Sequence, residues 1–279
     1  MNGQGAQGRS REYWNGMARG AGGAILFSLP MLMTMELWWL GFYANPVKLV
    51  LFLLLVFPVL VGLSRYSGLK PSSSWIGDVV DALSAYGIGF VIAAVSLFIF
   101  GVVTTSDTPT DAVGKIALEA VPGAIGAVLA RSQMGQPTQD RTEQEHGGDV
   151  GYWGQLFLMM SGALYVGLSV APTQEMVLIA FKMNAWRGAL LAALSMLLLH
   201  AFVYALNFMG QEPAPAGTPW WSLLLRFTVV GYAIALLLSA YVLWTFGRFT
   251  GVAPAWIVTE CVVLGFPAAV GAAAARLIL

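Results

Sequence analysis

The sequence predicts an all-α membrane protein in which eight transmembrane helices form two parallel four-helix repeats. Three observations predict this fold class: an apolar composition, eight apolar stretches of spanning length, and an internal repeat. Of the 279 residues, 58% are hydrophobic and 10% are charged, and the mean hydropathy is +0.73. A water-soluble domain usually carries about 25% charged residues. The composition therefore excludes an ordinary soluble enzyme.

The N-terminal residues predict a cytoplasmic tail followed by a span that stays in the protein. Residues 1–20 are rich in Gly and Gln and contain three arginines. The apolar run that follows, residues 21–44, is about twice as long as the core of a signal peptide. We therefore expect it to be the first transmembrane helix and not a cleaved leader.

Eight stretches are apolar enough to cross a bilayer, which requires about 20 residues in a helix. Ala44, Asn45 and Pro46 predict a tight hairpin after the first stretch, because Pro cannot continue the preceding helix. Residues 64–74 and 210–219 predict loops, since Pro, Ser and Gly interrupt the apolar pattern. The predicted spans lie near residues 21–44, 47–63, 75–102, 113–131, 155–183, 186–209, 220–247 and 252–279.

The two halves of the chain resemble each other. Shifting residues 13–45 by 139 positions aligns them with residues 152–184 without a gap. The nine identities are Tyr13/Tyr152, Trp14/Trp153, Gly23/Gly162, Ala24/Ala163, Leu29/Leu168, Thr34/Thr173, Glu36/Glu175, Phe42/Phe181 and Asn45/Asn184. The fourth and eighth spans match at an offset of 145, with identities Pro122/Pro267, Gly126/Gly271 and Arg131/Arg276, and Trp75/Trp220 share that offset. This periodicity predicts a duplicated unit.

The repeat divides the chain into four parts. An even number of spans in each repeat gives both repeats the same orientation, which predicts a pseudo-two-fold axis along the membrane normal. The predicted parts are a cytoplasmic tail (1–20), the first four-helix repeat (21–131), a polar cytoplasmic linker (132–151) and the second four-helix repeat (152–279).

The distribution of basic residues predicts a multi-pass protein of the bacterial inner membrane with both termini in the cytoplasm. With the N-terminus inside, eight of the fourteen Arg and Lys residues lie on the cytoplasmic side and five lie outside. Positive residues are enriched in cytoplasmic loops of such proteins. The remaining basic residue, Arg226, falls within a span.

The strongest candidate site consists of twin acidic motifs. A charge at the centre of a bilayer costs at least about 2.5–3.5 kcal/mol on insertion scales, so an acid within a span needs an explanation. Both halves contain Thr-x-Glu with an Asn nine residues after the Glu. Two carboxylates and two hydroxyls facing one cavity would suit a small cation or a shared proton. The predicted ion-binding residues are Glu36, Glu175, Thr34, Thr173, Asn45 and Asn184. The alternative is that both acids are protonated packing residues.

Other ionisable residues in the spans have weaker assignments. Asp81 and Arg226 are equivalent at the offset of 145, which predicts a structural ion pair across the halves. Glu119 lies one turn after Lys115 and is expected to pair with it. Three residues for which the sequence offers no partner are candidates for an ion pathway: Asp78, Glu260 and His200.

These observations predict transport of a small cation or proton through an acidic site at the repeat interface. The alternatives are an oligomeric cation channel and a non-transporting sensor or assembly subunit with a structural Glu pair.

Motifs for metalloproteases, serine hydrolases and phosphate-binding loops are absent, so the sequence predicts neither an enzyme nor a bound cofactor. The zero net charge argues against a nucleic-acid partner. The expected partners are the lipid bilayer, the transported ion and, in the channel alternative, further copies of the chain; the pattern does not identify a metal.

One segment resembles known proteins. The stretch Leu-Pro-Met-Leu-Met-Thr-Met-Glu-Leu-Trp-Trp at residues 29–39 is similar to bacterial integral-membrane families of unknown function. The resemblance implies a multi-span membrane protein and carries no mechanism with it.

The topology can be tested with reporter fusions. We expect fusions after residues 68, 140 and 214 to report the cytoplasm and fusions near 108 and 184 to report the outside, because each repeat holds an even number of spans. Paired phosphatase and fluorescent-protein reporters measure the side directly. A periplasmic signal at residue 140 would contradict the parallel repeat.

Overall fold

The computed structural model of the chain describes residues 3–67, 74–133, 151–201 and 220–278. Within these ranges the regular secondary structure is entirely helical. The chain forms two compact units. Unit 1 consists of residues 1–42 and 53–150, and unit 2 consists of residues 43–52 and 151–279.

Unit 1 is built around a central helix made largely of small residues. Its helices are α1 (Gly3–Leu32), α2 (Met35–Tyr43), the greater part of α3 (Pro46–Ser67), α4 (Trp75–Ile99) and α5 (Pro109–Gln133). Helix α5 packs against both α1 and α4. Its residues from 117 to 128 are all buried. Small side chains such as those of Ala120 and Ala124 allow neighbouring helices to approach this closely.

Unit 2 has a comparable order of elements. Its helices are α6 (Tyr152–Val170), α7 (Gln174–Lys182), α8 (Ala185–His200), the short α9 (Trp220–Leu223), α10 (Val230–Thr245) and α11 (Pro254–Ile278). A π-helical turn, Leu224–Val229, joins α9 to α10. Helix α11 packs against α6, α8 and α10, so it occupies the central position here.

A backbone contact between two glycines joins the central helix to the first helix of each unit. In unit 1, a Cβ atom added to Gly23 of α1 would overlap the carbonyl oxygen of Gly126 in α5. A Cβ atom added to Gly126 would likewise overlap the carbonyl oxygen of Gly23. In unit 2, Gly162 of α6 and Gly271 of α11 make the same reciprocal contact. These are the glycines that the sequence alignment pairs. Glycine is required because any side chain would separate the helices.

The turn that leads into the central helix is also shared. Helices α4 and α10 end at Gly101 and Gly247, whose φ angles of +71° and +73° favour glycine. The backbone N–H groups of Val102 and Arg248 donate back to carbonyls five residues earlier, which closes the last helical turn. These ends agree with the predicted spans 75–102 and 220–247.

The prediction of eight spans is confirmed only in part, and two of the predicted spans are not continuous helices. In the described part of the chain, six helices are long and apolar enough to cross a membrane, or seven if the bent pair α1–α2 is one span. The predicted span 21–44 bends by 84° between its two helices, and the predicted span 155–183 is divided between α6 and α7. The described part of the predicted span 186–209 is Ala185–His200, and residues 202–209 lie outside the described residues.

Two other predicted boundaries are tested only in part. The predicted loop at 64–74 begins too early, because α3 continues to Ser67. Most of the predicted linker 132–151 and the whole predicted loop 210–219 lie outside the described residues.

The glycine contact generates a matched pair of variants. We expect Gly23→Ala to destabilise unit 1 by about 1–3 kcal/mol, because the new methyl group meets the backbone of α5. Gly22→Ala is the control, since a Cβ atom at Gly22 meets nothing within 4 Å; it should be neutral or stabilising by up to about 1 kcal/mol. Thermal unfolding in detergent measures both. Equal unfolding temperatures for the Gly23→Ala and Gly22→Ala variants would refute the contact.

Candidate functional site

The Thr of the first motif lies where α1 stops. The hydroxyl of Thr34 donates a hydrogen bond to the carbonyl oxygen of Met31 at 2.8 Å, and its backbone N–H donates to the same oxygen at 2.9 Å. Pro30 precedes the break and lacks the amide donor of a regular helix. The chain then turns by 84° into α2. Thr34 therefore closes the last turn of α1.

The second motif has the same local structure. The hydroxyl of Thr173 donates to the carbonyl oxygen of Val170 at 2.8 Å, and its N–H donates to that oxygen at 3.0 Å. Thr173 is extended and immediately precedes α7. Both predicted Thr ligands thus donate their hydroxyl protons to the end of the preceding helix.

The two acids of the motifs lie in the first turns of the short helices. Glu36 of α2 is half-buried, and Glu175 of α7 is exposed. A carboxylate at this position interacts favourably with the helix dipole. Glu175 also lines an open groove of about 400 Å³ on α7, together with Gln174, Val177, Leu178 and Phe181.

The two predicted Asn ligands are helix caps. Oδ1 of Asn45 accepts hydrogen bonds from the backbone N–H groups of Val47 at 2.9 Å and Lys48 at 3.3 Å. Oδ1 of Asn184 accepts from the N–H of Arg187 at 2.9 Å. Such caps stabilise a helix N-terminus. The spacing from Thr to Asn thus corresponds to a helix break, a short helix and a capped new helix. A joint site formed by Glu36 and Glu175, which belong to different units, stays a prediction.

The expected pairing of Glu119 with Lys115 is wrong. The ammonium of Lys115 donates to the carbonyl oxygen of Val102 at 2.9 Å and lies 3.2 Å from Oδ2 of Asp107. Glu119 is completely buried, and neither of its carboxyl oxygens has a hydrogen-bond partner among the described residues. The turn at Gly101 brings the following loop back to the start of α5. There the Val102 carbonyl and the Asp107 carboxylate of the loop bind the Lys115 ammonium.

Asp107 is a site residue that sequence reasoning missed. The backbone N–H of Thr104, which donates to its Oδ2 at 2.9 Å, holds the pKa of Asp107 below its usual range, and Lys115 lowers it further. The sequence signal for this residue is an acid in the short loop between Gly101 and Pro109, the first residue of α5.

Glu260 has a basic neighbour that the sequence did not predict. It is buried in α11, and Arg248 of the preceding loop acts on it electrostatically. Nη2 of Arg248 donates to the carbonyl oxygen of Pro172 at 2.8 Å, at the break between α6 and α7. Arg248 therefore binds the helix break of unit 2 and acts electrostatically on an acid of α11.

Asp78 also has a partner. Its Oδ2 atom lies 3.1 Å from Nη1 of Arg65, and its side chain is 1% exposed. The sequence left Asp78 unpaired because a loop was predicted from residue 64. Helix α3 instead continues to Ser67, which presents Arg65 to the first turn of α4.

The last group of predicted residues surrounds the π-helical turn. Nδ1 of His200 lies 2.8 Å from Oγ1 of Thr228, which is buried. The hydroxyl of Tyr152 donates to the carbonyl oxygen of Arg226 at 3.1 Å, and the Arg226 guanidinium lies 5.8 Å from the centre of the Tyr152 ring. The predicted pair of Asp81 and Arg226 joins residues of different units and stays a prediction.

Comparison with known families agrees with these membrane helices. The family model described as "Putative integral membrane protein (DUF2391)" matches residues 16–279. No curated protein and no solved structure matches the chain. The resemblance noted at residues 29–39, to integral-membrane families of unknown function, is confirmed.

The ion pair of Arg65 and Asp78 generates a prediction. Arg65→Gln should destabilise the protein by about 1–3 kcal/mol, because it leaves a buried carboxylate without its cation. The double variant Arg65→Gln with Asp78→Asn should lose less than Arg65→Gln alone. Thermal unfolding of the purified variants gives both values. Simple additivity of the two single changes would show that the pair contributes nothing.

Proposed function

Since the chain belongs to the DUF2391 family of integral membrane proteins, we propose that this multi-pass protein moves protons or a small cation across the bacterial inner membrane. The observation that carries the proposal is a helix that breaks immediately before an acidic residue, once in each unit. Glu36 follows the break after Leu32, and Glu175 follows the break after Val170.

A broken helix supports transport because an unbroken helix satisfies its backbone hydrogen bonds internally. In a bilayer, irregular backbone is tolerated only where it is buried in protein or lines a polar cavity. Discontinuous helices of this kind form the substrate and ion sites of many secondary transporters. The break in unit 2 already has a polar partner, since Arg248 binds the Pro172 carbonyl.

The charges of the spans favour a cation or a proton. Lys115, one turn before Glu119, is bound to a backbone carbonyl beside the end of a helix. Arg248, which acts electrostatically on Glu260, is also bound to a backbone carbonyl beside the end of a helix. Glu119 and Glu260 lie deeper along α5 and α11, and both are buried. Carboxyl oxygens attract protons and hard cations, and an acidic interior repels anions.

We also infer that the two units are repeats of one four-helix element. Three features occur at equivalent positions: the break at Thr, the glycine contact and the glycine turn. The π-helical turn supports this inference, because the alignment offset changes across it. The offset is 145 at Trp75/Trp220, 146 at Tyr86/Tyr232 and Gly101/Gly247, and 145 again at Pro109/Pro254. One extra residue in a helix is what a π turn accommodates.

The parallel orientation of the repeats is part of the same proposal. It follows from four crossings in each repeat and places both termini in the cytoplasm. The reporter fusions above test it independently of any flux measurement.

The experiment measures flux in proteoliposomes that contain the full chain and a pH-sensitive dye. Glu36→Gln and Glu175→Gln keep the size of each side chain and remove its charge. We expect each to abolish proton-coupled flux or to shift its pH dependence between about pH 5 and pH 8. Potassium, sodium and calcium gradients are compared with a proton gradient to identify the cation.

Asp111→Asn is the matched control. Asp111 is also an acid in the first turn of a helix. The Thr before it, Thr108, accepts a hydrogen bond from the Asp111 backbone N–H at the start of α5. Thr34 and Thr173 instead donate to the end of a preceding helix. Removal of the Asp111 charge should leave flux unchanged. If both Glu variants have the same flux as the unmodified protein, the motif is purely structural, and the sensor or assembly alternative is favoured. Flux that requires oligomers would favour the channel.

A further inference from the structure

Glu119 is the most deeply buried acid among the described residues. It lies near the middle of α5, with an exposed fraction of 0%, and both of its carboxyl oxygens lack a hydrogen-bond partner among the described residues. Its neighbours along the helix, from Ala117 to Val121, are buried as well. An ionised carboxylate in such a place loses its hydration and gains no compensating contact.

We propose that Glu119 is a proton-binding site and that release of its proton transfers Lys115 from the loop at residues 102–107 to Glu119. The proposal concerns unit 1 alone and does not rest on the transport function. Its ligand is the proton, which one carboxyl group can hold without further protein ligands. The basis is geometry: an unpartnered acid lies one helical turn from a cation that is bound elsewhere.

In the structure Lys115 contacts the loop and forms no hydrogen bond with Glu119. Residues four apart lie on the same face of a helix, so a lysine at position 115 and an acid at position 119 are neighbours. The long flexible stem of lysine lets its ammonium reach different acceptors. In the structure the ammonium binds Asp107 and the Val102 carbonyl. That choice fits a neutral Glu119, which offers no charge to compete with Asp107.

Other titratable groups on the elements around α5 have positions of their own. On α4, Asp78 is bound to Arg65, and the Tyr86 hydroxyl donates to the Leu53 carbonyl at 2.7 Å. The remaining described groups are Asp81 on α4, Glu36 and Tyr43 on α2, and Asp111 on α5 itself. The described side chains of α1 contain no titratable group. Lys115 is therefore the nearest cation along the chain that a charged Glu119 could attract.

The proposed exchange has a definite sign with pH. As the pH rises, Glu119 gives its proton to water, its carboxylate attracts Lys115, and the loop loses the ammonium. Protonation of Asp107 would also release the loop, but it occurs as the pH falls. Its lowered pKa means that its contribution is present at neutral pH and is lost only as the pH falls below the ordinary value of about 3.9. Release of the loop at raised pH that disappears with Glu119→Gln therefore reports Glu119, and release by strong acid reports Asp107.

The first measurement needs no variant. Dicyclohexylcarbodiimide reacts with protonated carboxyl groups in apolar surroundings, and mass spectrometry locates the adduct. We expect the full chain in proteoliposomes to be labelled at Glu119, with labelling that declines as the pH rises. A Glu119 that stays unmodified, or that is labelled equally at all pH values, would overturn the proposal.

The second measurement follows the loop. Thr105 is exposed, so Thr105→Cys in a Cys261→Ser background reports access of a membrane-impermeant maleimide. Rates are normalised to a free thiol peptide at each pH. We expect normalised labelling to rise about fivefold or more with pH, to stay low with Glu119→Gln, and to be high throughout with Asp107→Asn. A Glu119→Gln profile that follows the unmodified background would refute the exchange.

Discussion

The close contact of two glycine backbones is the constraint on which each unit depends. In unit 1 the segment from α1 to α2 makes two reciprocal glycine contacts with α5, at Gly23 opposite Gly126 and at Gly41 opposite Gly114. The 18 residues from Gly23 to Gly41 would span about 27 Å as one helix, whereas the 12 residues of α5 between the contacts span about 18 Å. A straight helix cannot make both contacts. The break at Thr34 and the short helix α2 resolve this difference in length.

The helix break explains why the acidic motif is where it is. Once the chain must turn, Thr closes the old helix, Glu enters the first turn of the new one, and Asn caps the helix that follows. Thr and Asn therefore have local structural roles in both units. Among the described motif residues, Glu36 and Glu175 are the two whose side chains form no such hydrogen bond, and the functional hypothesis therefore rests on them.

The charges at the start of the central helices differ in sign between the units. Unit 1 has Lys115 on the helix and Asp107 in the loop, and unit 2 has Glu260 on the helix and Arg248 in the loop. Positions 115 and 260 are equivalent at the offset of 145. In unit 1 the opposite charges form an ion pair, whereas in unit 2 Arg248 acts on Glu260 only electrostatically. Unit 1 also has an additional acid on its central helix, Glu119, where the equivalent position 264 of unit 2 is a leucine. The two units are therefore chemically unequal despite their similar helices.

Local features of the chain were predictable from sequence, and contacts between distant segments were not. Membrane character, helix content and the helix ends near residues 102 and 247 follow from apolar run length and turn residues, which act over a few residues. The number of continuous spans did not follow, because a bend of 84° is decided by where α2 must pack. The partners of Lys115, Asp78 and Glu260 also required the tertiary structure. Spacing along a helix makes two charges neighbours, but a loop or a longer helix that presents a better partner determines which ion pair forms.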